Sequence, residues 1–382
     1  MQRNSKNHCF MFIFSLFAII FAFFVPVNNN VAVAENGKKL SNAKAMIVIE
    51  QSTGRVLYSE NEHEKLPMAS TTKIITAIYA IEHNADLDKD VEIQKQAVGI
   101  SGTSIGLKEG EHLTIRELLY GLMLRSGNDC AVALAIETSG SVQKFAEDVN
   151  AFLKDLGLEE TNIKNPHGLS EKEHYTSAHD LAKVTAYAMK NPTFKEIVST
   201  KEKKISNELE SKYNRNLKNK NKLLSKFEGA DGVKTGFTMS AGRCFVGSAT
   251  RNNMQLICVL LNCVPMFEDC EMLLEKGFKE FSMCKIIEKG KEYVLKTDKG
   301  EKAFVSDIDF SLPLSNQEKI NLTLKIEEGT EENVGNKNSQ TFANMQVYLE
   351  KQLIFSHKIY IINNIENNGS VEDNLQKIFQ QM

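Results

Sequence analysis

Net charge is scarce in this chain. Across 382 residues, 46 lysines and arginines almost balance 49 aspartates and glutamates, leaving a formal net charge of −3. Such a balance supplies no basic footprint for nucleic acid, which is excluded as a partner. The only basic, polar stretch, Lys201 to Lys226, reads as a solvated surface segment. Cysteines number seven and never form Cys-x-x-Cys, and no histidine stands among them at ligand spacing. No metal site and no cofactor is therefore expected. Most of Cys130, Cys244, Cys258, Cys263, Cys270 and Cys284 fall within apolar runs and read as small buried hydrophobes, with a disulfide left open.

The long apolar run lies at the start, from Cys9 to Val25, behind a positive segment with Arg3 and Lys6. Ala32-Val33-Ala34 follows as a small-x-small cleavage site, so residues 1–34 read as an export signal with Glu35 as the mature start. An uncleaved anchor is the competing reading, because the run approaches the ~18 residues that span a bilayer. The chain is otherwise long enough for one large domain and a smaller one.

Two short strands, Ala45–Ile49 and Arg55–Tyr58, flank a Ser52-Thr53-Gly54 turn. Helical periodicity follows over Thr71–Glu82, Ile115–Met123, Cys130–Thr138, Val142–Leu156 and Ala178–Met189, the last stopping before Pro192. From Gly232 the period changes: an extended segment to Gly236, a hairpin of Arg243–Thr250 and Met254–Asn262, then a closing helix over Glu268–Phe281. Early and late strands around central helices imply an α+β layer whose strands share one antiparallel sheet. After Met283 short strands and turns predict a small β-rich C-terminal domain. The expected organisation is thus 1–34 signal, 35–282 chemistry, 283–366 β-rich domain and 367–382 a short amphipathic segment. That last segment places Val371, Leu375, Ile378, Phe379 and Met382 on one face, consistent with weak membrane-surface contact or with a frayed helix.

Three short words carry the chemistry: Ser70-Thr71-Thr72-Lys73, Ser126-Gly127-Asn128 and Lys234-Thr235-Gly236. Ser-x-x-Lys alone is cheap, since Ser41, Ser70, Ser141 and Ser282 all have a lysine three residues on. Ser70 differs by opening a strongly periodic helix, where free backbone N–H groups favour developing negative charge. One turn on, Lys73 shares its face among isoleucines, whose desolvation lowers a lysine pKa and suits it to act as base. Ser126 and Asn128 sit in a break between two apolar helices, placed to relay a proton to a leaving amine and to bond a substrate amide. Ser59-Glu60-Asn61 is a decoy of the same kind. Gly236 permits close backbone approach, Phe237 N–H and Ser70 N–H would form an oxyanion hole, and Lys234 with Thr235 would meet a substrate carboxylate.

The trio, in this order, matches the signature shared by penicillin-binding proteins and class A β-lactamases. Residues 40–281 resemble the low-molecular-mass penicillin-binding proteins, serine-type D-Ala-D-Ala carboxypeptidases. Met68–Lys73, Leu118–Asn128, Asn165-Pro166-His167-Gly168-Leu169 and Asp231–Thr238 are all similar to that family's blocks, and the segment after Met283 matches its second domain in position and size. The resemblance implies a Ser70 acyl-enzyme with Lys73 as proton acceptor, Ser126 assisting protonation and Lys234 binding the carboxylate. It implies removal of the terminal D-alanine from peptidoglycan stem pentapeptides outside the cytoplasmic membrane, with β-lactam antibiotics as inhibitors. His167 is given no proton-transfer role.

Two departures stand out. Many relatives carry a basic residue just after the strand that ends here at Asn262, where this chain reads Cys263-Val264-Pro265-Met266; Arg243 is the substitute considered. The terminal amphipathic segment is short and poorly charged. The alternatives weighed are a β-lactamase, against which the Glu-x-x-Leu-Asn deacylation string is missing, a D,D-endopeptidase or transpeptidase, and a non-catalytic wall-binding protein.

Overall fold

Strand β1 (Ala45–Glu50) is buried along its whole length, and β2 (Val56–Glu60) folds back on it through the expected turn. The computed structural model describes residues 39–205, 215–297, 300–328, 332–333, 339–340 and 342–360. The expected signal at 1–34 and the segment at 367–382 lie outside them. After β2 comes the fully buried first part of α1 (Lys73–His83), reached through a one-turn 3₁₀ helix, Ala69–Thr72. A helix apolar on all sides belongs in a core, and Ile74, Ile75, Ile78 and Ile81 put it there.

A short ladder of β3 (Asp90–Glu92) and β4 (His112–Thr114) leads into α2 (Ile115–Leu124). Thr114 and Glu117 form a capping box that satisfies the first free N–H groups of α2. Then follow α3 (Asn128–Ser139), α4 (Val142–Asp155) and α5 (Ala178–Ala188). Pro192, expected to follow a helix end, in fact begins another, α6 (Pro192–Ser199). Proline at the first helical position loses no intrahelical bond, and Asn191 Oδ1 caps the turn by accepting from Thr193 N (3.0 Å) and Phe194 N (3.2 Å).

The basic stretch also differs from expectation. Within it β5 (Glu202–Ile205) pairs with β6 (Arg215–Lys218), and α7 (Leu223–Lys226) follows. Ile205, Leu217, Leu223 and Leu224 are buried, so this segment packs rather than simply coating the surface.

β7 (Ala230–Thr238), β8 (Gly242–Arg251) and β9 (Met254–Leu261) complete a five-stranded antiparallel sheet ordered β2-β1-β9-β8-β7. Side chains alternate across it. Ala45, Ile47, Ile49, Val246, Ile257 and Val259 join the helical core on one face, and Met46, Val48, Phe245, Leu256 and Cys258 join α8 (Met266–Glu280) on the other. Burial on both faces explains why β1 and β9 read as nearly unbroken apolar runs. The six cysteines among the described residues are all free thiols, five of them buried and Cys284 partly so.

The chain divides into two units. The first holds everything so far, together with β10 (Phe281–Ile287) and the returning segment Ile308–Asn321. The second begins with β11 (Glu292–Thr297), which pairs with β12 (Gly300–Val305). In the returning segment β13 (Phe310–Ser315) pairs with β10, and α9 (Asn316–Ile320) carries Glu318, the buried partner of Arg55. The rest of the second unit is β14 (Leu322–Glu328), β15 (Glu332–Asn333), β16 (Ser339–Gln340), β17 (Phe342–Leu349) and β18 (Gln352–Tyr360). β14, β17 and β18 form one antiparallel sheet, and β15 pairs with β16. β17 and β18 form a hairpin turning at Glu350 and Lys351.

Candidate active site

Ser70 lies where the chain turns sharply from a β bridge into α1. Leu66 bridges Thr176, and three residues later Ala69 takes a positive φ of 49°. Two threonines lock the turn: Thr71 Oγ1 donates to Met68 O at 2.6 Å and Thr72 Oγ1 to Ala69 O at 2.8 Å. Thr72 Oγ1 is also 2.9 Å from His174 Nε2, and His174 Nδ1 accepts from Lys164 N at 3.0 Å. Burial lowers the His174 pKa to about 4, so the ring is neutral and structural. No side chain caps this turn, which leaves the Ser70 hydroxyl uncommitted to the helix start.

Lys73 is completely buried one turn on. Its Nζ lies 2.9 Å from Ser70 Oγ, 2.7 Å from Asn128 Oδ1 and 2.6 Å from the backbone oxygen of His167. An ammonium has three donors for these three positions. A neutral amine has two N–H groups and one lone pair. The amide and carbonyl oxygens only accept, so both N–H groups go to them and the lone pair is left facing Ser70. The Asn128 amide is held in that orientation because its Nδ2 donates to Ser101 O at 2.6 Å. Burial first, and then the charge of Lys234, hold the Lys73 pKa well below the usual lysine range. The neutral amine thus becomes accessible, aimed at the hydroxyl.

The second motif fills the break between α2 and α3. Ser126 is buried with a positive φ of 64°, and Gly127 N donates to Gly121 O at 3.1 Å. Asn128 N donates to Thr103 O at 2.7 Å. Next to it, buried Asp129 accepts from the backbone N–H groups of Ile105, Gly106 and Leu107. The second motif and the 101–107 loop are therefore one hydrogen-bonded body.

The third motif lies on β7, an edge strand beside the Ser70 turn. A Cβ on Gly236 would stand 3.1 Å from both Met68 O and Ser70 N, so the missing side chain is what lets strand and turn approach. Across the site, Gly168 (φ 84°) is more constrained still, because a Cβ there would stand 1.9 Å from Ala69 O. Lys234 is 1% exposed, and among the described residues its ammonium meets one acceptor, Thr235 O at 2.9 Å. Burial, and then the nearby Lys220, lower its pKa to about 7. Lys220, itself lowered by burial and then by Arg125, has its Nζ 3.4 Å from Thr103 Oγ1. Phe237 is largely exposed under the Arg243 guanidinium, which pairs with it across β7 and β8 at 5.6 Å. A cleft of about 290 Å³ opens beside Ser70, lined by Met68, Gly168, Ser170, Glu171, Thr238 and Ser240.

Ser70, Lys73, Asn128, Lys234 and Gly236 are thus brought round one turn, with Ser126 two residues before Asn128 in the same break. The decoys are not: Ser59-Glu60-Asn61 sits at the end of β2, where Glu60 accepts from Leu40 N and Asn61 donates to Lys44 O. Sequence reading missed three participants. The His167 contribution is a backbone oxygen, while burial and then Lys73 depress its ring pKa to about 4. The 101–107 loop offered only a glycine- and serine-rich composition. Lys220 was hidden in a stretch that looked solvated.

The family model for D-alanyl-D-alanine carboxypeptidase matches residues 31–264. The D-alanyl-D-alanine carboxypeptidase DacF of Bacillus subtilis is 33% identical over 293 residues, which is 74% of this chain and 75% of that protein. Among solved structures, penicillin binding protein 5 from Haemophilus influenzae has a TM-score of 0.71 at 26% identity, covering 86% of this chain and 98% of that one. A Streptomyces DD-transpeptidase has a TM-score of 0.60 at 34% identity, covering 63% of this chain and 99% of that one. With a family model matched over most of its first unit and a relative 33% identical over 74% of its length, the chain whose buried lysine faces Ser70 belongs to the D-alanyl-D-alanine carboxypeptidase family.

Proposed function

We propose that the chain removes the terminal D-alanine from peptidoglycan stem peptides through an acyl-enzyme on Ser70. The observation that carries this is the buried Lys73 amine, 2.9 Å from Ser70 Oγ and with its two other positions taken by acceptors. In the forward step the Ser70 proton passes to Lys73 as Oγ bonds the carbonyl carbon of the penultimate D-alanine. The resulting oxyanion takes hydrogen bonds from the backbone N–H groups of Ser70 and Phe237. The C–N bond then breaks, and Ser126 relays a proton to the leaving amine. Water hydrolyses the ester and frees Ser70.

An anionic substrate end also fits. After burial, Lys234 and Lys220 lower the Lys73 pKa and Lys220 lowers that of Lys234, so a buried Lys234 with one acceptor gains most from a carboxylate. Thr235 and the exposed Arg243 would share that contact. Among the described residues no carboxylate is hydrogen-bonded to Ser70 or Lys73. The absence of a carboxylate bonded directly to this pair supports slow release of penicillin once bound. The same proposal includes export by residues 1–34, chemistry confined to 35–282, and weak membrane contact by 367–382. Among the described residues no helix is long and apolar enough to cross a membrane.

The test is D-alanine release from a bisacylated pentapeptide by the mature protein. Ser70→Ala and Lys73→Ala are each expected to lose roughly three or more orders of magnitude. Unchanged release by Ser70→Ala would refute the assignment.

A further inference from the structure

We propose that His63, Glu160 and His179 form a binding site for one divalent transition cation of the zinc class, separate from the Ser70 cleft. Three segments distant in sequence supply the ligands: the turn after β2, the loop after α4 and the first turn of α5. The ligand atoms lie within 4.8 Å of one another. His63 Nδ1 is 3.0 Å and His179 Nδ1 is 4.0 Å from the same Glu160 oxygen, Oε2, and the two rings approach with centroids 4.7 Å apart. Tetrahedral zinc at its usual ~2.0–2.2 Å bond lengths spaces its ligands by roughly 3.3 Å, so only small side-chain rotations are needed.

The frame is fixed before any ion arrives. Leu66 and Thr176 exchange backbone hydrogen bonds, as do Asn162 and Tyr175, and His179 N donates to Glu62 O at 2.9 Å. Glu62 Oε1 lies 4.0 Å from His63 Nε2, the ring nitrogen left free when Nδ1 binds, and a carboxylate there orients a metal-bound imidazole. Asp180 Oδ1, 3.2 Å from His179 Nδ1, gives up that nitrogen to the ion, and water can take a fourth position. Two imidazoles with one carboxylate favour zinc, cobalt or nickel over magnesium or calcium. Binding would displace the protons with which the rings contact Glu160. His63 is exposed and all three residues reach solvent, which gives the ion an entry path. The site ties the segment leading to Pro67 and Ser70 to the segment carrying His174, so an ion there would stiffen both sides of the turn.

The experiment titrates Zn2+ into tag-free, metal-depleted mature protein against a chromogenic chelator, with Mg2+ as control and Co2+ absorption as a readout of ligand geometry. One zinc per chain with micromolar or tighter affinity is expected. His63→Ala, His179→Ala and Glu160→Gln should each weaken it about tenfold or more. Zinc should raise the melting temperature of the wild type and not of these variants, whose metal-free melts check that they fold. Affinity no better than about millimolar, equal binding of Mg2+, or zinc binding unchanged in all three variants would show only a surface ion-pair cluster and overturn the proposal.

Discussion

Ser70–Lys73 and Ser141–Lys144 have the same spacing at the start of a helix, and the fold gives them opposite fates. Ser141 is a cap: its Oγ accepts from Lys144 N at 3.1 Å, satisfying the first turn of α4. Lys144 projects into solvent and pairs with Asp148, and that hydrogen bond raises its pKa. Ser70 caps nothing, because a 3₁₀ turn locked by Thr71 and Thr72 precedes α1. Lys73 is buried beside another lysine, and its pKa falls. The serine hydroxyl meets the lysine ammonium in the first place and only the lysine backbone N–H in the second. Burial and the neighbouring charges decide which lysine becomes a base.

The largest way to break this contrast is Lys73→Arg. Arginine keeps its charge throughout the accessible pH range, so acylation should fall by roughly 10²–10⁴-fold, while Lys144→Arg leaves it within about twofold. Penicillin acylation kinetics read both. A smaller effect concerns Lys234, which must be charged to hold a carboxylate. With its pKa lowered to about 7, raising the pH through that value discharges it. The pH profile of kcat/KM, which reports the free enzyme, should therefore fall on its alkaline side near there. In Lys234→Arg the charge persists, and the alkaline fall should move to higher pH. Smallest is Ser141→Ala, expected to cost about 1 kcal/mol of stability through loss of the cap, seen in denaturant melts, with D-alanine release unaltered.

Much of the first unit was legible because its signals are local. The isoleucine periodicity of α1 and the apolar runs of β1 and β9 act within a few residues. The three motifs could be ordered along the chain for the same reason. What stayed hidden acts across space or through backbone. The His167 oxygen that holds Lys73 has no side-chain signature. Asn128, expected to face substrate, also fixes Lys73 through Oδ1, which required knowing that Ser101 anchors its amide. Pro192 looked like a stop because only Asn191 beside it marks a start. Glu350, at a positive φ of 58°, turns β17 into β18 without the usual glycine or asparagine. His63, Glu160 and His179 form no spacing pattern and meet only because two β bridges bring their segments together.

The most direct test of a buried, neutral Lys73 is the rate of penicillin acylation of the wild-type protein as a function of pH. A proton-accepting amine whose pKa is driven down by enclosure predicts a rate that stops rising well below the pH at which a solvated lysine, at 10.5, would discharge. A rate still climbing tenfold per pH unit toward that value would contradict it.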